Sequence, residues 1–167
     1  MLFQVNDVVV HEVYGVGKIT AIEELSWKKP DSTSYYVVLI GDAKIWVPVE
    51  NEVTNHLRPI TPKADLPTYR EIFQEQPSEL DNSRFGRTSY IQESKKHTSF
   101  RALCETVRDL SSHGHKQKLA AHESIFLQRV TQQLVEEWAL SAQISPEQAQ
   151  AEIEHLLGND PVLPTAV

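Results

Sequence analysis

Three histidines, His113, His115 and His122, are the residues whose types most readily suggest metal chemistry. His113 and His115 are two residues apart, whereas a helix presents a preformed pair of histidine ligands at positions i and i+4. No run of acidic residues accompanies them in the sequence. The spacing therefore predicts a polar loop between two helices and no metal site.

The sequence also lacks the common catalytic signatures. Cys104 is the single cysteine, which excludes a disulfide framework and a cysteine-based zinc site. It falls in a helical pattern and is predicted to be a small buried residue. There is no Gly-x-Ser-x-Gly, P-loop or dinucleotide-binding motif. We therefore expect a binding protein with no enzymatic activity, no cofactor and no small-molecule substrate.

Trp46 is a candidate for recognising another macromolecule. It lies between Ile45 and Val47 in a strand pattern, so its side chain points to the opposite face from theirs. If Ile45 and Val47 face the core, Trp46 is exposed. The alternative is a bent strand on which Trp46 faces inward.

Phe85 is a second candidate, because it stands between Arg84 and Arg87 and is followed by Gly86. An exposed aromatic ring beside arginines can act as a wedge in a nucleic-acid groove. The alternative is that the ring packs the start of a helix onto the core.

The charge distribution favours a local contact with a polyanion, although the net charge is −7. Residues 84–118 hold eight lysines and arginines against three acidic residues, a local charge of +5. Such a basic surface is typical of nucleic-acid binding, and a solvated helix face is the alternative. The eight cations are Arg84, Arg87, Lys95, Lys96, Arg101, Arg108, Lys116 and Lys118.

These residues require two kinds of element to position them, and the chain has two periodicities. Residues 1–60 alternate with period two between turn residues. This pattern predicts strands at 3–10 (broken near residues 6 and 7), 18–24, 35–40 and 44–48, with a tight turn at 14–17 and a hairpin loop at 29–33. Pro48 places its strand at a sheet edge or ends it. Short, closely spaced strands favour a small SH3-like or Tudor-like β-barrel.

The second half is predicted to be helical. Prolines mark a linker at 61–66, and apolar spacing of three and four residues predicts helices at 101–110 and 119–141, with weaker helices at 69–76 and after residue 81. Ser145, Pro146 and Gln148 form a helix start that ends before Gly158. The prediction is an α+β chain with a barrel at 1–60, a domain of about four to five helices at 67–158 and a loose tail at 159–167.

No apolar run approaches the length of about 20 residues that crosses a bilayer, and the N-terminus lacks the pattern of a signal peptide. The expected location is the cytoplasm.

The order of short motifs across both halves resembles the CarD/CdnL family of bacterial transcription regulators. The barrel of that family is shared with the polymerase-interacting domain of transcription-repair coupling factors. The motifs are Phe3-x-Val5-x-Asp7-x-Val9-Val10, Tyr14-Gly15-Val16-Gly17, Ala21-Ile22-Glu23 and Val47-Pro48-Val49 in the first half, and Thr106-Val-Arg-Asp-Leu110, Lys118-Leu-Ala-Ala-His-Glu123 and Leu134-Val-Glu-Glu137 in the second.

The resemblance implies that the barrel adds a strand edge to the β subunit of RNA polymerase. It implies further that the helical domain contacts promoter DNA and stabilises the open complex. The implied polymerase-binding residues are Lys44, Ile45, Trp46, Val47 and Pro48, and the implied DNA-binding residues are Arg84, Phe85, Arg87, Lys95 and Lys96.

Phe85 stands where the family resemblance implies a tryptophan, and phenylalanine has less area and no indole N–H donor. DNA binding is therefore expected to be weaker. The alternative function is that of a protein–protein adaptor that binds polymerase or another protein and has weak or no DNA binding.

Overall fold

The computed structural model describes residues 3–25, 33–49 and 56–158. The chain divides into two compact units, Met1–Ile60 and Thr61–Val167. The predicted tail at 159–167 and nearly all of the predicted hairpin loop at 29–33 lie outside the described residues.

The first unit is an antiparallel five-stranded sheet. Its strands are β1 (Val8–His11), β2 (Gly15–Leu25), β3 (Thr33–Ile40), β4 (Ala43–Pro48) and β5 (Leu57–Pro59), in the order β4-β3-β2-β1-β5. One face of the sheet packs around the fully buried ring of Tyr36, whose hydroxyl oxygen accepts a hydrogen bond from the N–H of Phe3 at 3.2 Å.

The turn predicted at 14–17 lies earlier, at residues 12–14, because β2 already begins at Gly15. Gly15 has a positive φ of 85°, which glycine adopts without strain. Gly17 is needed for a different reason, which is the close packing of neighbouring side chains. A Cβ at this position would lie 2.6 Å from Cγ1 of Ile40 and 2.7 Å from Cγ1 of Val38, so only glycine fits between them.

A β-bulge interrupts the pairing of β2 with β3. Ile19 is opposite Val38 and Ala21 is opposite Val37, so Thr20 is an extra residue on β2. The Thr20 hydroxyl donates a hydrogen bond to the carbonyl oxygen of Val37 at 3.2 Å. Because of this extra residue, Ile19 faces the core and Ala21 lies on the opposite face.

The second unit has five α-helices in its described residues. They are α1 (Leu66–Ile72), α2 (Arg84–Ser94), α3 (Phe100–Lys116), α4 (Ala121–Ala142) and α5 (Pro146–Leu156), and a 3-10 turn (Lys63–Asp65) precedes α1. The predicted start of the last helix is confirmed, because Ser145 and Gln148 form a reciprocal capping box. The predicted α+β organisation of a small β unit followed by a helical unit is confirmed.

The predicted interhelical loop around His113 and His115 is wrong, because α3 continues to Lys116. The side chain of His113 is buried against the unit, and the N–H of Gln117 still bonds to the His113 carbonyl at 2.9 Å. This packing offsets the low helix propensity of Gly114.

The helical core is centred on Trp138, which is fully buried. Its ring lies 5.8 Å from that of Phe100 and 6.2 Å from that of Phe73, and its Nε1 donates to Oε2 of Glu152 at 3.2 Å. Cys104 is fully buried in the same core, as predicted, and burial raises the pKa of its thiol. No helix within the described ranges is long and apolar enough to span a membrane.

Candidate interaction surfaces

The strand β4 forms one edge of the sheet and pairs with β3 on its other side. Val47 is buried and Ile45 is half-buried on the core face, while Trp46 is 47% exposed on the opposite face. The predicted phase of Trp46 is therefore confirmed, and the inward-facing alternative is wrong. Lys44 is exposed, and β4 ends at the exposed Pro48.

The indole of Trp46 is held by a residue two strands away. Its Nε1 donates a hydrogen bond to Oε2 of Glu23 on β2 at 2.9 Å. Since β3 lies between β2 and β4, the ring crosses β3, and Val37 beneath it is only 2% exposed. Sequence reasoning missed Glu23 because its face is set by the bulge at Thr20, which no local pattern reveals.

Phe85 lies in the first turn of α2 and is 86% exposed. The alternative that its ring packs the helix onto the core is therefore wrong. The helix starts at this point because the Ser83 hydroxyl accepts a hydrogen bond from the N–H of Gly86 at 3.1 Å. Arg84 is exposed beside Phe85 and forms no ion pair with any residue in the described ranges.

Arg87 differs from Arg84 because its guanidinium is used inside the protein. Its Nε donates to Oε1 of Glu123 at 2.8 Å, and its Nη1 donates to the carbonyl oxygen of Asn82 at 2.6 Å. Glu123 is fully buried, and its Oε2 accepts the N–H of Ala120 at 2.8 Å at the start of α4. Burial opposes ionisation of Glu123, but the Ala120 N–H and the Arg87 guanidinium outweigh it and hold the pKa below its ordinary value.

The loop before α2 is packed closely against the first turn of the helix. The Asp81 carboxylate accepts the N–H of Ser83 at 2.7 Å, and a Cβ on Gly86 would collide with the Asp81 side chain. The hydrogen bonds of Ser83 and of Arg87 fix the same turn. The backbone that carries Phe85 is thus held firmly while its ring projects into solvent.

Lys95 and Lys96 follow α2 and are both exposed. The Nζ of Lys95 lies 5.7 Å from the centroid of the Phe126 ring, in the range of a cation–π contact. The Nζ of Lys96 lies 2.6 Å from Oε2 of Glu93 in an exposed ion pair.

The basic block of residues 84–118 is partly neutralised in the folded chain. Arg101 pairs with Glu105 at 3.2 Å, and the buried Arg108 binds Asp109 at 2.8 Å. With Arg87 and Lys96, four of the eight cations have acidic partners. The sequence does not reveal this pairing fully, because Glu123, the partner of Arg87, lies outside the block.

A polar cleft of about 540 Å³ lies between α2 and α3. Asp109 at its floor accepts hydrogen bonds from the Tyr90 hydroxyl at 3.1 Å and from the Ser78 N–H at 3.0 Å. Burial and the Asp109 charge raise the pKa of Tyr90. These groups satisfy one another, which is the arrangement of a structural polar network.

The histidines do not converge on a metal site. His113 is buried in the last turn of α3, whereas His122 is exposed in the first turn of α4. Across residues 3–25, 33–49 and 56–158, no group of three or more histidine, cysteine or acidic side chains is arranged to hold an ion.

Both units match protein families. Residues 3–61 match the CarD-like/TRCF RID domain, and residues 69–154 match the CarD C-terminal domain. A relative from Bacillus subtilis (strain 168), named "Putative transcription factor YdeB", is 27% identical over 138 residues, which cover 81% of this chain and 90% of the relative. The two family matches follow one another in the order of the sheet and the helices, and the chain therefore belongs to the CarD-like family of transcription-associated proteins.

Proposed function

We propose that the chain is a transcription regulator that binds the β subunit of RNA polymerase through β4 and contacts promoter DNA through the start of α2, stabilising the open complex. The observation that carries this proposal is the 86% exposure of Phe85 on a turn held in place by internal contacts. An apolar ring so exposed serves no packing role within the described part of the unit.

The polymerase contact is supported by the geometry of β4. An edge strand offers unpaired backbone N–H and C=O groups to an incoming strand. Trp46 adds a large aromatic side chain to this edge, and aromatic anchors often contribute about 2 kcal/mol or more to protein interfaces. The β subunit is the partner implied by the family.

The DNA contact is supported by the surroundings of Phe85. The first turn of α2 contains no acidic side chain, and the start of a helix carries a partial positive charge that favours phosphate. Arg84, which has no ion-pair partner among the described residues, adds a cation at the same place. Phosphate contacts of this kind can position the ring of Phe85 at an opened base step.

The adaptor function is the second candidate, because half of the cations in the block 84–118 are already paired with acidic side chains. Arg87 in particular is paired with the buried Glu123. Moving its guanidinium to a phosphate would leave the Glu123 carboxylate buried without a cation, which costs free energy. A protein with this charge pattern can bind polymerase and touch DNA weakly or not at all.

The lifetime of open complexes on a promoter, formed by polymerase with the full chain, tests the proposal. Phe85→Ala is expected to shorten the lifetime several-fold relative to the parent, while binding to polymerase is unchanged. Leu140→Ala is the matched control, since Leu140 is also exposed but lies near the C-terminal end of α4. A parent chain that binds polymerase but leaves the lifetime unaffected would establish the adaptor function instead.

Trp46→Ala tests the other half of the proposal. The variant is expected to bind polymerase more weakly whether the chain is a DNA-contacting regulator or an adaptor, because polymerase binding uses β4 in both proposals. A folded Trp46→Ala variant that binds the β subunit as tightly as the parent would place the polymerase contact elsewhere on the chain.

A further inference from the structure

The sheet face that carries Trp46 has an arrangement of charged side chains. The addition of a strand to β4 uses backbone groups and does not involve these side chains. Across β2, β3 and β4, side chains on this face form rows in the sheet register. Lys18, Leu39 and Lys44 form one row, Ala21, Val37 and Trp46 the next, and Glu23, Tyr35 and Pro48 the third. Trp46 therefore stands between a lysine row and a row that begins with a glutamate.

The ring of Trp46 has one covered face and one open face. Its N–H is donated to Glu23 across β3, and Val37, the register partner of Trp46 on β3, is only 2% exposed. Trp46 itself remains 47% exposed. For a ring that lies across a strand, the side that faces away from the sheet is the one open to solvent.

The electrostatic potential of the indole and of its neighbour Glu23 determines which chemical groups the open face attracts. The face of an indole carries negative potential and is the best aromatic partner for a cation. The Glu23 carboxylate lies at the edge of the same ring, and only its Oε2 is used by the indole. A guanidinium stacked on the ring can therefore donate to the other oxygen of Glu23, and arginine suits both interactions better than lysine does.

We propose that Trp46 and Glu23 form a receptor for one basic side chain, preferably an arginine, on the polymerase strand that docks along β4. This inference rests on the proposed function and specifies the chemistry of the partner. The exposed Lys44 lies two residues from Trp46 on the same face, and like charges on adjacent strands are destabilising. On the polymerase strand, the residue opposite Lys44 lies two positions from the basic residue. We therefore expect it to be acidic or neutral.

Binding of the full chain to purified RNA polymerase tests the receptor. Glu23→Gln keeps a hydrogen-bond acceptor for the indole and removes the charge, and it is expected to weaken binding by about fivefold. Glu23→Lys places a like charge against the partner and is expected to weaken binding by more than about tenfold. Glu24→Lys is the control, because Glu24 is also exposed but points to the other face of β2.

The salt dependence adds a readout that a change of shape would not produce. The affinity of the parent is expected to fall more steeply with salt than that of Glu23→Gln, since a charge pair is screened and a neutral contact is not. The melting temperature of Glu23→Gln should equal that of the parent, so the result is clear even if Glu23→Lys folds poorly.

The outcomes separate the receptor from the docking proposal. If the parent binds polymerase and Glu23→Gln and Glu24→Lys both bind equally well, the receptor is wrong and strand docking stands. If Trp46→Ala weakens binding while Glu23→Gln does not, the tryptophan is an apolar anchor and the partner is not basic. If the parent does not bind polymerase, both proposals are overturned.

Discussion

The Nε atom of Arg87 lies 2.8 Å from Oε1 of Glu123, and this ion pair joins the first turn of α2 to the first turn of α4. The arginine side chain is 11% exposed and the glutamate is fully buried. Arg87 also donates to two carbonyl oxygens in the loop before α2. One guanidinium therefore joins the starts of α2 and α4 to this loop. The pair therefore anchors the helix start that carries Phe85, and little of the Arg87 side chain is open to solvent.

Replacing Arg87 by Met is expected to lower the free energy of unfolding by about 3–5 kcal/mol, because it leaves the carboxylate of Glu123 buried without a cation. Urea unfolding of the full chain measures this loss. Arg84→Met is the control, since Arg84 is exposed and unpaired in the described structure, and it is expected to change stability by less than about 0.5 kcal/mol. Equal stabilities of the two variants would contradict the structural role of Arg87.

Phe85→Trp is expected to fold with unchanged stability and to lengthen the lifetime of open complexes. The larger ring has room in solvent and stacks more strongly at an opened base step. Phe100→Trp provides the contrast, because Phe100 is 2% exposed and overpacking a core costs about 1–3 kcal/mol. A stable Phe85→Trp variant with the lifetime of the parent would exclude the ring as a wedge.

Any affinity of the chain for DNA is expected to depend on Arg84 and to fall as salt rises, because neutralised phosphates release counterions. Arg84→Ala should weaken binding and reduce the slope of log affinity against log salt by about 1. Arg101→Ala is the matched variant, since the guanidinium of Arg101 is paired with Glu105. Identical slopes for both variants would mean that Arg84 does not meet a phosphate.

Acid is expected to destabilise the first unit through His11. Burial, followed by the nearby His56, lowers the pKa of His11 below 6.5, although Glu12 opposes the shift. The Nδ1 of His11 accepts the N–H groups of Val13 at 3.1 Å and Tyr14 at 3.4 Å, and a protonated ring cannot accept them. The folded state therefore takes up this proton less readily than the unfolded chain.

The contribution of His11 is complete above pH 6.5 and is lost as the pH falls through the lower value of the folded state. Unfolding of the parent and of His11→Asn at pH 7.5 and pH 5 measures the effect. The difference in stability between the two chains should shrink at the lower pH, since asparagine accepts a hydrogen bond without titrating. A difference that stays constant would show that folding does not lower the pKa of His11.

Local rules of the chain predict much of the fold. The period of two places Trp46 opposite Ile45 and Val47, and the residues Ser145 and Gln148 mark the start of α5 where the structure has it. These features depend on neighbours within four residues, so one sequence is enough to predict them.

The features that the sequence does not reveal depend on residues far apart in the chain. Arg87 resembles Arg84 in the sequence, and only the packing of α2 on α4 makes it a buried partner of Glu123. The side on which Glu23 lies follows from the extra residue at Thr20, which depends on the register with β3. One sequence leaves open whether Phe85 is exposed, and its firm placement depends on the close approach of Asp81 to Gly86.

The burial of Cys104 also makes the chain well suited to site-directed chemistry. The chain contains one cysteine, and that residue is fully buried with a thiol whose raised pKa suppresses the reactive thiolate. A cysteine introduced at Phe85 or at Trp46 would thus be the one thiol that a maleimide reagent reaches in the folded protein. A fluorophore or cross-linker can be attached to either surface alone without first removing the native cysteine.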